Sequence, residues 1–150
     1  MEIPLVSIPK MATQWKVIHE FKPTDYSPRP HFDATTSLQL ATSFGNFFLQ
    51  VKFPLPKIAL HLLGLDASWW WFESDQLPKL GEWNKIEISL EKEEGKHFIS
   101  LSVGDKQVLR EEVHDIEDLR SESDGFAVCI GHDFNPQPGF IRGLVVLEKQ

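Results

Sequence analysis

Cysteine and tyrosine each occur once in this chain and methionine twice, and no apolar run approaches the ~20 residues that a membrane-crossing helix needs. Each shortage excludes something. With Cys129 alone, no intramolecular disulfide can form and a cysteine-rich metal site is ruled out, so a reducing compartment is the expected setting. Val128 and Ile130 flank that cysteine, which fits an inert, packed thiol. Clustered basic residues are also lacking: the net charge is -7, which argues against a nucleic-acid or anionic-membrane surface and favours neutral or cationic partners. No secretion signal is visible, because Glu2 stands where positive charge belongs and Pro4 and Pro9 interrupt the short apolar stretch. The expected location is cytoplasmic, or secreted without a visible signal peptide.

What is present is strand signal. The 150 residues are 41% hydrophobic and 25% charged, the composition of one ordinary globular domain. The clearest stretch runs from Trp83 to Val113. Ile86, Ile88 and Leu90 alternate with Lys85, Glu87, Ser89 and Glu91, and Ile99, Leu101 and Val103 alternate with Ser100 and Ser102. Period-two alternation marks half-buried antiparallel strands, and Glu94-Gly95 and Gly104-Asp105 supply the tight turns between them. A three-strand meander is expected there.

The same pattern recurs elsewhere. Thr13 to Phe21 sets Trp15, Val17, His19 and Phe21 on one face, His19 being expected as a hydrogen-bonded core or rim residue. Lys22 to Pro30 holds three prolines and is expected as loop. Strands follow at Thr35 to Thr42, Asn46 to Phe53 and Lys57 to Leu63, the last turning His61 away from its apolar stripe. His114 to Gly125 has room for a single helical turn. Phe126 to Gly131 and Phe140 to Glu148 close the chain, the latter so continuously apolar that a central position in its sheet is expected. Residues 1–12 read as a loose leader and 13–150 as one domain. About ten strands without a long amphipathic helix make an all-β domain of two packed antiparallel sheets.

Four aromatics in a row, Trp69 to Phe72, set a question for function. A strand sends Trp69 and Trp71 one way and Trp70 and Phe72 the other, so one pair fills the core and the other meets a loop, a partner or a ligand. Indole faces stack on the apolar face of a pyranose, and nearby polar groups supply directional hydrogen bonds. His61, Trp70, Trp71, Glu73 and Asn135, the last in the loop HDFNPQPG, are therefore the candidate ligand-binding residues. A core role for the tryptophans is the plain alternative, and a greasy pocket suited to a lipid or isoprenoid would use the same residues differently.

From Gly81 onward the chain resembles the laminin G-like and pentraxin-like members of the concanavalin A-like jelly-roll superfamily. Gly81-Glu82-Trp83 opens a strand, Ile99 to Val108 forms a hairpin, and Gly125 to Gly131 precedes a loop and the closing strand Phe140 to Val146. The resemblance covers about the last 70 residues and implies a two-sheet antiparallel jelly-roll sandwich binding sugars, proteins or lipids through loops or a concave sheet face. It also brings calcium into view, for which Asp66, Asp75, Asp124 and Asp133 would be the oxygen donors. No D-x-D-x-D-G loop is present, and the expectation is no cofactor. Galectins share this fold, but their paired signatures are absent and His132-Asp133-Phe134-Asn135-Pro136 is a superficial echo. A weaker similarity, in Phe48 to Lys52, Ile58-Ala59-Leu60 and Phe126 to Gly131, runs to the farnesoic acid methyltransferase-like domain, yet no glycine-rich, helix-opening cofactor loop accompanies it.

Catalytic arrangements fit poorly. A retaining glycosidase needs two carboxylates about 5 Å apart, and on this fold a third acid between them. Glu73-Ser74-Asp75 is followed by Leu77 where that third acid should fall, and Asp115-Ile116-Glu117 by Leu119. No G-x-S-x-G elbow singles out a serine, and the six histidines include no close-spaced pair for zinc. The sequence therefore points to a non-enzymatic, lectin-like module with a glycan as ligand. A protein interaction or assembly domain is the alternative, and an unusual enzyme comes third.

Overall fold

Alternation along the sequence becomes alternation of burial along Gln14–Pro23, where Trp15, Val17, His19, Phe21 and Pro23 are buried and the residues between them are half-exposed. The computed structural model describes residues 6–7, 14–28, 33–42, 45–63, 69–113, 125–130 and 135–149, with side chains described outside 6–7, 41–45, 63, 69–70, 125–129 and 148–149. Among the described residues there are eleven strands: β1 (Val6–Ser7), β2 (Gln14–Pro23), β3 (Ala34–Thr42), β4 (Gly45–Lys52), β5 (Lys57–Leu63), β6 (Trp69–Ser74), β7 (Asn84–Glu93), β8 (Lys96–Val103), β9 (Lys106–Val113), β10 (Gly125–Ile130) and β11 (Gly139–Lys149). No helix occurs among the described residues, so none is long and apolar enough to cross a membrane.

Two antiparallel sheets result. Six strands pair in the order β1-β10-β3-β4-β5-β6, and five in the order β11-β2-β7-β8-β9. The expected meander is β7-β8-β9. Glu94 (φ 52°) and Gly95 (φ 78°) form its first turn and Gly104 (φ 65°) bends the second, the positive φ values that two-residue hairpins require.

The inner faces share one core. Trp15, Val17, Phe21, Ile86, Ile88, Leu90, Ile99 and Leu101 come from the five-stranded sheet; Leu38, Leu40, Phe47, Leu49, Ile58, Leu60 and Leu62 come from the other. Trp15 meets Phe47 edge-to-face at 5.2 Å between ring centroids, an aromatic pair that joins the two layers. Each such aliphatic side chain contributes about 1.5–3 kcal/mol by leaving water.

Two expectations are corrected. β11 lies at the edge of its sheet rather than its centre. Its apolar run has another cause: the register slips between Arg142 and Val145, with Gly143 at φ 64°. Ile141, Leu144 and Val146 then pack against the core while Phe140, Val145 and Leu147 face solvent. His19 is buried as expected but not hydrogen-bonded as expected, since neither ring nitrogen has a partner among the described residues. Burial pushes its imidazole down to about 4, because the charged form would be stripped of water. The helical turn expected within His114 to Gly125 lies outside the described residues apart from Gly125, the first residue of β10.

Loops are fastened to this frame. The Tyr26 hydroxyl donates to the Pro78 carbonyl at 2.6 Å, and Gly81 N–H donates to Pro23 O at 2.8 Å. Asn84 Oδ1 accepts from Lys79 N at 2.9 Å, while its Nδ2 donates to the carbonyls of Phe21, Lys79 and Glu82. The proline-rich segment after β2 and the β6–β7 connection thus lock each other in place.

Candidate functional site

The outer face of the six-stranded sheet carries a row of rings that follows from strand register. Phe48 on β4 pairs with His61 on β5, and His61 pairs with Trp71 on β6. Since side chains alternate, all three face away from the Phe47, Leu49, Leu60 and Leu62 layer. The His61 and Trp71 rings stack at 4.0 Å with only 12° between their planes, and Phe48 lies 5.5 Å from His61 on the other side. His61 is buried beneath this arrangement, whereas Trp71 keeps 38% of its surface in solvent. The imidazole therefore covers one face of the indole, and the rest of the ring stays partly exposed.

A polar row runs beside the rings. Gln50, Ala59 and Glu73 are consecutive cross-strand partners. Ala59 is fully buried although it faces outward, so the longer side chains around it close over its small methyl. Lys52 Nζ sits 2.6 Å from Glu73 Oε1 and 5.0 Å from the Trp71 ring centroid, within the range of a cation–π contact. Lys57 lies 3.9 Å from Glu73 Oε2 and 3.4 Å from Asp75 Oδ1. Ion pairs this exposed contribute at most about 1 kcal/mol each; their use is to hold charged groups at fixed places around Trp71.

Electrostatics keep the centre neutral. Burial pushes the His61 imidazole down to about 4, so it stays uncharged at neutral pH and does not repel Lys52. Gln50 Nε2 donates to Thr36 Oγ1 at 2.9 Å. Its Oε1 is shut from solvent and has no hydrogen-bond partner among the described residues, an acceptor that the face leaves over.

Of the five residues singled out from sequence, His61, Trp71 and Glu73 come together here. The backbone of Trp70 pairs with Leu62, but its side chain lies outside the described residues. Asn135 stands apart at the start of β3: its Nδ2 donates to Ala34 O at 2.9 Å, and its own carbonyl accepts from Thr36 N at 2.7 Å. Gln137 continues this clamp, with Thr35 Oγ1 donating to its Oε1 and its Nε2 donating to Asp25 O at 2.7 Å. Asn135 thus reaches the ring face only indirectly, through Thr36 and Gln50. Sequence reading missed Gln50 and Lys52, although their two-residue spacing from Phe48 was a usable signal. Of the four acids considered for calcium, Asp75 pairs with Lys57, and Asp66, Asp124 and Asp133 lie outside the described residues. No group of three His, Cys, Asp or Glu side chains converges among the described residues.

Comparison with known proteins supplies the architecture. No protein-family model matches the chain, and no curated protein matches it. Among solved structures, the SAP-like pentraxin of Limulus polyphemus superposes with a TM-score of 0.60 at 16% identity, over 97% of this chain and 66% of its own. The fold is a jelly-roll sandwich. The Ruminococcus gnavus IT-sialidase CBM40 bound to alpha2,3 sialyllactose gives 0.57 at 11% identity, covering 99% of this chain and 90% of that one. The receptor-binding domain of botulinum neurotoxin type G gives 0.61 at 10% identity, over 89% of this chain. This chain spans 34% of the toxin domain and just under two thirds of the pentraxin. Identities this low concern the fold.

Proposed function

We propose that this protein is a non-catalytic carbohydrate-binding module whose sugar docks on the Trp71 platform. The half-exposed indole carries the proposal: stacked on His61 and bordered by Lys52 and Glu73, it joins an apolar ring surface to a fixed donor and a fixed acceptor, as pyranose recognition requires. Support also comes from the similar CBM40 structure, which holds sialyllactose. Lys52 covers part of the ring in the free protein, so a sugar displaces its ammonium and takes over the contact.

A glycan array followed by calorimetric titration tests this. Trp71→Ala is expected to weaken binding of the best glycan by at least about tenfold, in line with 1–2 kcal/mol for a central aromatic anchor. Absence of binding to every glycan class, or equal binding by Trp71→Ala, removes the proposal.

A second reading, assembly through a sheet edge, is favoured by one observation. Phe140, Val145 and Leu147 are exposed on β11, which ends its sheet, and such edges invite pairing. Light scattering across a concentration series separates the readings: a strict monomer counts against assembly.

A further inference from the structure

We infer that a second binding cleft, at the turn end of the β7-β8-β9 meander, takes a small amphipathic organic acid. The cleft has a volume of about 400 Å³ and lies between the β6–β7 connection, the start of β7 and the β8–β9 turn. Its floor is apolar: Leu77, Val103 and Val108 line it and are partly buried against the core. Trp83 forms a wall, 36% exposed, with the Arg142 guanidinium 3.8 Å from its ring centroid. Arg142 is held there by Glu20 at 2.6 Å.

The rim sets the sign of the ligand. Lys79, Lys85 and Lys106 line the cleft with Glu82 the sole carboxylate among its lining residues, and none of the three lysines has an ion-pair partner among the described residues. In a chain of net charge -7, three unpaired cations around one cleft form a local positive field that attracts anions.

Hydrogen-bonding capacity sets the rest of the chemistry. Asn84 also lines the cleft, but its amide is spent on Phe21, Lys79 and Glu82. Gln76 is the one other amide side chain at the cleft, and the remaining polar side chains are three cations and one carboxylate, a set in which charge rather than amide recognition dominates. An apolar body on the floor with one anionic head among the lysines satisfies both halves. The walls are already fastened, by Tyr26 to Pro78, Gly81 to Pro23 and Asn84 to its three carbonyls, so little ordering cost remains at binding.

The test uses the full chain and three probes: 1-naphthylacetate, its uncharged amide, and acetate. Titrations followed by amide chemical shifts are expected to show the naphthyl acid binding at least about tenfold tighter than either partial probe, with shifts at Leu77, Gly104 and the Trp83 indole. Lys85→Gln with Lys106→Gln is expected to weaken the acid at least about fivefold, and added salt to weaken it further. Lys92→Gln, outside the cleft, controls for lost charge. The lysines are exposed, so their loss leaves the fold intact. Equal binding of acid and amide, unchanged affinity in the lysine variants, or shifts confined to the Trp71 face overturns the inference. The Trp71→Ala variant retains acid binding, which keeps this cleft distinguishable from the carbohydrate site.

Discussion

His19 is fully buried on β2, with no hydrogen bond among the described residues to repay its lost hydration. An unsatisfied buried polar group costs about 1–3 kcal/mol, and an apolar group of similar shape avoids that cost. His19→Leu is therefore expected to raise the urea midpoint, by about 1 kcal/mol in stability. A lower midpoint would show that the imidazole is satisfied after all. His19 and His61 also set an acid response. Both are held down to about 4, against about 6.5 when unfolded. Their contribution is complete above pH 6.5 and declines as pH falls, because only the unfolded state takes up protons in that window. Each then costs about 1.4 kcal/mol per pH unit between about 6.5 and 4. Urea titrations at pH 7, 6 and 5 should show this fall, and His19→Leu should roughly halve the slope above the range where carboxylates protonate.

Among the elements, β11 is held most closely at its beginning. A Cβ on Gly139 would stand 2.6 Å from Lys22 O and 2.8 Å from a Phe21 ring carbon, at a φ of 155°. Neither the backbone of β2 nor a buried ring can retreat cheaply, so Gly139→Ala is expected to cost about 1–3 kcal/mol, as overpacking does. Gly143→Ala has open space around it and should cost about 1–2 kcal/mol, the left-handed backbone term at φ 64° alone. Thermal melts of the two variants compare these. Sequence reading fared differently along these strands for physical reasons. β7 and β8 were legible because their apolar residues alternate with polar ones, and β9 because each turn of the meander carries its glycine. β11 was misread because the bulge at Gly143 turns residues of both faces into one apolar run. His61, Trp71 and Glu73 were legible from alternation. Alternation put Gln50 and Lys52 on the face of Phe48, but their place beside Glu73 and Trp71 follows from the pairing of β4 with β5 and of β5 with β6.

For the molecule as a whole, the two sheets have no separate cores: Trp15 of one packs on Phe47 of the other. They are expected to unfold together. Phe47→Ala should lower stability by about 3–5 kcal/mol, while backbone and tryptophan signals continue to move in a single coincident transition; separate transitions would show that the layers are independent. Outside that core, the proposed sugar lies on the face of one sheet and the organic acid beside the turns of the other.

The fastening of the β6–β7 connection bears on how proteases meet this protein. Residues 75–83 contain no strand or helix and expose Lys79, which makes the segment look like a ready cleavage point. Trypsin needs several residues of extended backbone, and here Asn84, Tyr26 and Pro23 hold that backbone in a different shape. Native digestion should spare the Lys79–Leu80 bond until the whole domain opens. Asn84→Ala should make it an early cut, turning the loss of one amide into a nick that a gel can show.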